Sequence, residues 1–243
     1  MSLARVDAAM VMAAGLGTRM RPLTNDRPKA LVELGGRALV DHALDRLVED
    51  GVAKAVVNVH HFADRLESHL TSRSAPVIVI SDERDQLLET GGGLVKAAPV
   101  LGDAPVFVMN TDSVWLEDPG APSALSGLRG AWDATRMDAL LLLARMDRSM
   151  GFHGAGDFRL DPDGRLHRGG DDASADYAFM GVQIMDTRLL AGRPVAPFST
   201  NVIWNECLAR RRLFGLPLAG EWMHVGDPDA RAAAEARLAQ ARA

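Results

Sequence analysis

The chain has 243 residues, 47% of them hydrophobic, and 27 Lys and Arg against 32 Asp and Glu leave it with a net charge of -5. That acidity offers no general attraction to nucleic acid or to an anionic membrane, so any polyanion must be met by a local pocket. The one cysteine, Cys207, excludes an internal disulfide and a multi-cysteine metal cluster, and no run approaches the roughly eighteen apolar residues of a membrane span.

The length suits one large α/β domain with a full core, expected in a reducing cytoplasm. Residues 8–14 read as a buried first strand; the run is short and follows Asp7, unlike a signal-peptide core. It leads into Gly15-Leu-Gly-Thr-Arg19-Met-Arg-Pro22-Leu-Thr-Asn-Asp-Arg-Pro28-Lys29. Two glycines and a threonine leaving a strand let successive amides point into one hollow that binds an anion. Arg19, Arg21, Arg27 and Lys29 crowd this stretch against a single acid, Asp26. Phosphate is the expected guest. A dinucleotide fingerprint wants a third glycine where Met20 stands, and the Gly-Lys-Ser/Thr of a Walker loop is absent.

Helical spacing over 39–49, closed by Gly51, predicts a crossover helix. Strand-like runs at 55–59 and 77–80 flank a second helix at 63–70, and 106–109 adds another strand. Short apolar strands alternating with helices predict a parallel sheet covered on both faces. In such a sheet ligands lie beyond the C-terminal strand ends, where the glycine loop and Asn110-Thr111-Asp112 both emerge. Between them, Leu88-Glu89-Thr90-Gly91-Gly92-Gly93 precedes an expected helix at 94–98. Three glycines permit a flat ring to approach backbone whose exposed amides read its edge, although such a run also marks a helix-start turn.

After Trp115, 139–144 is another buried strand, and strands at 158–160 and 165–167 flank a turn, Asp161-Pro-Asp-Gly164. The polar, glycine-rich segment 147–176 reads as surface loop with room for a flap. A strand at 177–185 and a helix at 201–212 follow. Asp227 as N-cap and Pro228 at the first helical position open a final alanine-rich helix.

Residues 15–31 resemble the signature of the sugar-1-phosphate nucleotidyltransferases, Gly-x-Gly-Thr-Arg-Leu/Met-x-Pro-Leu-Thr followed by Pro-Lys-Pro-Leu, with Ala30 replacing the last proline. The resemblance implies a Rossmann-like three-layer α/β/α fold with a mostly parallel sheet and a smaller sugar-binding β/loop region. It implies one domain over 1–243, with a nucleotide-binding half at about 1–115, a sugar-binding half at about 116–226 and a C-terminal helix at 227–243. It assigns Arg19 to the leaving triphosphate tail and Lys29 to the α-phosphate or the sugar phosphate. Ala14, Gly15, Gly17 and Thr18, with Glu89, Thr90, Gly91 and Gly92 of the Glu-Thr-Gly-Gly-Gly run, would bind the nucleotide. Gly156 and Gly181 would line the sugar pocket.

Asp112 matches the family's metal-binding aspartate, for which Mg²⁺ is the expected ion. His224 stands where many relatives carry a second metal aspartate, and imidazole suits softer ions, so Mn²⁺ or Co²⁺ is also open. Asp227 is expected to cap the last helix, and His60, in Asn58-Val-His-His61, to make a structural hydrogen bond. The family's sugar-side Glu-Lys pair is missing where His167-Arg168-Gly169 stands. The implied partners are a nucleoside triphosphate and a sugar 1-phosphate, with UTP and N-acetylmuramate 1-phosphate favoured. GTP with mannose or heptose 1-phosphate, or a sensing module without turnover, are the alternatives.

Overall fold

The computed structural model describes residues 5–169 and 175–242. Strand β1 (Ala8–Met12) opens the chain, and after the glycine loop a short hairpin of β2 (Glu33–Leu34) and β3 (Arg37–Ala38) leads into α1 (Leu39–Glu49). This helix has the expected bounds. Gly51 donates to the Val48 carbonyl and Val52 to that of Leu47, the pattern in which a left-handed glycine closes a helix. Then come β4 (Lys54–Val59), α2 (Ala63–Leu70), β5 (Val77–Asp82), α3 (Glu89–Leu101) and β6 (Val106–Asn110). Helix α3 begins at Glu89 rather than at 94, so the three glycines lie inside it.

The second half adds β7 (Ser113–Glu117), α4 (Ala124–Ala131), β8 (Ala139–Arg145), β9 (Ser149–Met150), β10 (Phe158–Leu160), β11 (Leu166–Arg168) and β12 (Tyr177–Met185). It ends with α5 (Asn201–Ala209), β13 (Leu213–Pro217), β14 (Gly220–His224) and α6 (Pro228–Arg242). Helix α5 stops three residues before the expected end because Arg211 turns left-handed (φ 56°) and Arg212 donates back to Cys207. Part of the expected 147–176 loop is the β9 to β11 stretch, and residues 170–174 lie outside the described residues.

The central sheet runs β11-β10-β12-β6-β1-β4-β5, with β8 on β12 and β13 on β8. Strands β6, β1, β4 and β5 are parallel, whereas β12 is antiparallel to both β6 and β8. Because successive strand residues face opposite sides, Ala9 and Val11 pack in the layer of α1, α2 and α4, while Ala8 and Met10 pack in that of α3 and α5. This is the three-layer α/β/α arrangement. A second sheet, β7-β14-β9, was not legible in sequence; with α6 it forms a smaller core of Met20, Leu39, Val114, Met223 and Leu238.

Candidate active site

The C-terminal ends of β1 and β6 and the start of α3 enclose a cleft of about 390 Å³. Ala13, Ala14 and Gly15 form one wall, Glu89 and Thr90 another, and Lys29 and Asp112 stand in it. The β1 end is held from below. Asn58 Oδ1 accepts from the amides of Ala13 (2.7 Å) and Ala14 (3.3 Å), and Asn58 Nδ2 donates to Glu83 Oε1 at 2.8 Å. Glu83 is fully buried and its other oxygen accepts from the Leu88 amide ahead of α3. One buried pair thus ties these two walls of the cleft together. His60 Nδ1 bonds the Glu83 carbonyl at 2.7 Å, the structural role expected of it.

Beyond Gly15 the chain enters a 3₁₀ turn, Thr18–Met20, through Gly17 in the left-handed region (φ 63°). The Gly17 carbonyl accepts from Thr24 Oγ1, and a Cβ at Gly17 would lie 3.0 Å from that of Lys29. The loop is therefore folded onto the Lys29 turn, and a larger residue would push the two apart. Arg19 and Thr18 are exposed on this turn, and Arg19 makes no ion pair among the described residues. Of the other cations, Arg27 pairs with Asp26. Ala30 is 1% exposed and packs in the core, away from the cleft.

Lys29 Nζ lies 2.7 Å from Asp112 Oδ2, and His224 Nε2 lies 3.5 Å from the same oxygen. The β7–β14 ladder causes this: His224 pairs with Ser113, and the Val225 amide donates to the Asp112 carbonyl. Gly226 leaves room for the imidazole, since a Cβ there would lie 2.7 Å from its Cε1, and Phe152 and Trp222 flank the ring. His224 Nδ1 is 3.2 Å from the Gly151 carbonyl. A carbonyl only accepts, so Nδ1 carries hydrogen and a neutral ring would aim the Nε2 lone pair at a carboxylate. A proton on Nε2, or a cation between the two groups, reconciles them. Burial works to raise the Asp112 carboxyl, but the His224 hydrogen bond and the Lys29 and His224 charges outweigh it and hold the group well below the usual carboxylate range. It is an anion at neutral pH.

Among the described residues no group of three His, Cys, Asp or Glu converges as a metal site. Asp112 and His224 supply two donors, which fits an ion whose remaining positions are filled by phosphate oxygens and water. The Gly151 carbonyl behind Nδ1 is the kind of support that orients a metal-ligating imidazole. Asp227 instead caps α6, its Oδ1 accepting from the Ala230 amide at 2.8 Å.

Gly91 and Gly92 sit elsewhere than expected. Their amides both donate to the Phe198 carbonyl, and a Cβ on Gly92 would lie 2.1 Å from the Ala196 carbonyl oxygen. Those amides are occupied, and the glycines let α3 pack on the 196–198 backbone. Gly181 packs on Asn110 at a bulge in β12, and Gly156 packs on Ala175; neither is among the residues that line this cleft. Sequence reasoning missed Glu83, whose neighbours in Ser81-Asp-Glu-Arg-Asp85 are polar or charged and give no sign of burial, and the second cleft described below.

Residues 9–149 match the model of the MobA-like NTP transferase domain. N-acetylmuramate alpha-1-phosphate uridylyltransferase of Caulobacter vibrioides is 54% identical over 237 residues, 96% of this chain and 97% of that relative. The protein of the same name from Neisseria meningitidis serogroup B is 41% identical over 106 residues, 43% of this chain and 46% of its own length. Among solved structures, apo UDP-glucose pyrophosphorylase superposes with a TM-score of 0.81 over 98% of this chain and 100% of its own, at 14% identity, a likeness of fold. The signature at residues 15–31 and this kinship agree: the chain belongs to the MobA-like NTP transferases and is a sugar-1-phosphate nucleotidyltransferase.

Proposed function

We propose that the chain transfers UMP from UTP to N-acetylmuramate 1-phosphate, releasing pyrophosphate, in the cytoplasmic recycling of cell-wall sugar. The observation that carries the choice of substrates is the near full-length kinship with the Caulobacter uridylyltransferase. The cleft supplies the chemistry. The attacking oxygen belongs to the sugar phosphate, whose second pKa near about 6 leaves it largely ionised at neutral pH, so no general base is required. A new bond forms between that oxygen and the α-phosphorus as the α–β anhydride bond breaks, and pyrophosphate departs with the released negative charge.

The residues then align two anions and neutralise them. The amides of Gly15, Gly17 and Thr18 face the triphosphate, with Arg19 on its leaving end. Lys29 meets the reacting phosphate, and Ala14, Glu89 and Thr90 flank the nucleoside. Asp112 and His224 would hold a divalent ion, Mg²⁺ or a softer Mn²⁺ or Co²⁺, which would supply further positive charge to the phosphates. Pyrophosphate release measured for UTP, GTP, CTP, ATP and dTTP, each with N-acetylmuramate, N-acetylglucosamine, mannose and heptose 1-phosphates, tests the reading. The UTP and N-acetylmuramate pair is expected to be fastest. A faster GTP reaction with mannose or heptose 1-phosphate overturns it, as does tight nucleotide binding with no pyrophosphate in any divalent ion.

A further inference from the structure

A second cleft of about 260 Å³ adjoins the first, sharing Met12, Thr90, Asn110 and Ser199 with it. A sugar whose phosphate sits near Asp112 would extend past Asn110 into this space. The cation on its wall is Arg168, at the end of β11. Its guanidinium lies over the Phe158 ring, 4.8 Å from the centroid, and 6.0 Å from that of Trp204. Trp204 is itself fixed, its indole N–H donating to Gln183 Oε1 at 3.0 Å. Nη2 donates to Asn201 Oδ1 (2.7 Å) and Asn205 Oδ1 (3.1 Å), two neutral acceptors on α5.

Arg168 therefore has an unusual electrostatic position. Among the described residues, Asp157 is the acid whose field reaches Arg168; it also lines the cleft, but it spends Oδ2 on the Phe179 amide at 2.8 Å and forms no ion pair with the guanidinium. Among the described residues Arg168 pairs with no carboxylate, and its Nε and Nη1 have no protein acceptor. Desolvation lowers its pKa, opposed among the described residues by the field of Asp157. Side chains that neither neutralise a guanidinium nor let it swing away hold it ready for an anion. The phosphate end of the sugar is already served by Lys29 in the first cleft, so the anion met here lies at the sugar's far side.

Resting on the proposed sugar specificity, we infer that Arg168 is the specificity-determining residue of the sugar site and binds the carboxylate of an acidic sugar, the lactyl carboxylate in N-acetylmuramate 1-phosphate. N-acetylglucosamine 1-phosphate lacks that group, and the lactyl methyl ester keeps its shape without its charge. A charge-assisted bond to the acid, absent with the ester, is the difference read out.

The test measures kcat and KM for the wild type, Arg168→Gln and Arg168→Lys with the acid, its methyl ester and N-acetylglucosamine 1-phosphate at saturating UTP. Arg168→Gln is expected to raise KM for the acid at least tenfold more than for the ester or the glucosamine sugar, with kcat less affected, and Arg168→Lys to recover part of the loss. An equal effect on all three sugars, which a structural role would produce, or no effect on any, overturns the inference while leaving uridylyl transfer standing. A folded wild type that makes no UDP-sugar from any of them overturns the reading beneath it as well.

Discussion

The amide of Asn58 joins two walls of the cleft: its oxygen takes the N–H groups of Ala13 at 2.7 Å and Ala14 at 3.3 Å, and its nitrogen gives a hydrogen to Glu83 at 2.8 Å. Asn58 is 3% exposed and Glu83 0%, so neither has water as a substitute. Asn58→Ala strands one Glu83 oxygen and the Ala13 amide together, and a buried polar group left unpaired costs about 1–3 kcal/mol. A loss of about 2–3 kcal/mol in urea unfolding is expected, with a raised KM for the nucleotide because the strand end that starts the glycine loop loses its anchor. A change under about 0.5 kcal/mol would sink this account.

The glycines at the start of α3 separate two explanations by their sign. Gly92→Ala puts a methyl 2.1 Å from a backbone oxygen of Ala196, an obstacle that no rotamer change relieves. Overpacking of this kind costs about 1–3 kcal/mol. In Gly130→Ala the new methyl meets nothing within 4 Å in the last turn of α4, and the change should stabilise by about 0.5 kcal/mol through helix propensity. Thermal unfolding of the two variants checks both signs. If Gly92→Ala kept full stability and only weakened nucleotide binding, a direct role at the base would be restored.

The same pair of positions shows what a linear pattern can and cannot carry. Local periodicity placed α1 and α2 at their observed bounds, and turn chemistry placed the 158–168 hairpin. The Gly15 to Lys29 loop and Asp112 were legible because both follow apolar strands whose ends share one sheet edge. The β7–β14 ladder was not: Ser113 and His224 are 111 residues apart, and only their pairing, absent from any local period, sets the imidazole beside Asp112. Glu83 was hidden for the opposite reason, since its burial depends on a partner from another strand while its own neighbours are charged. The glycine run allows both open backbone and a helix start; the structure has the helix start, and the 196–198 segment that covers the glycines is too distant in the chain for a local pattern to reveal.

Cys207 provides a pH signature. It is fully buried on α5, and desolvation pushes its thiol up from 9.0 to about 11. A group whose folded pKa exceeds its unfolded one contributes stability that is whole below pH 9 and declines as pH rises toward 11, because the unfolded chain releases the proton first. At about 1.4 kcal/mol per unit the decline amounts to about 2–3 kcal/mol. Urea unfolding from pH 8 to pH 11 should show wild type falling more steeply than Cys207→Ala by that amount. Parallel curves would show that the thiol titrates as in the unfolded chain.

Lys29 touches Asp112 in the free protein and is expected to exchange that contact for phosphate during turnover. Lys29→Met should then lower kcat by about 10²–10³, the usual cost of removing one charge-stabilising donor. Stability should change little, because Asp112 keeps His224 and 22% of its side chain stays open to water. Single-turnover rates with the wild type as reference decide it; a variant within threefold of wild type would remove Lys29 from the chemistry.

The ion preference tests His224 directly. Imidazole with its Nδ1 hydrogen held by the Gly151 carbonyl favours softer divalent ions, whereas a carboxylate at the same place favours Mg²⁺. His224→Asp should therefore shift the ratio of activity in Mg²⁺ to that in Mn²⁺ or Co²⁺ upward by about tenfold, the lower end of what one altered ligand commonly costs in metal affinity. Titration of Mn²⁺ in the presence of nucleotide, followed by magnetic resonance of the free ion, should show the same weakening without any turnover. Identical Mn²⁺ affinity and identical ion profiles in both proteins would make His224 a bystander and leave Asp112 as the chain's sole donor to the ion.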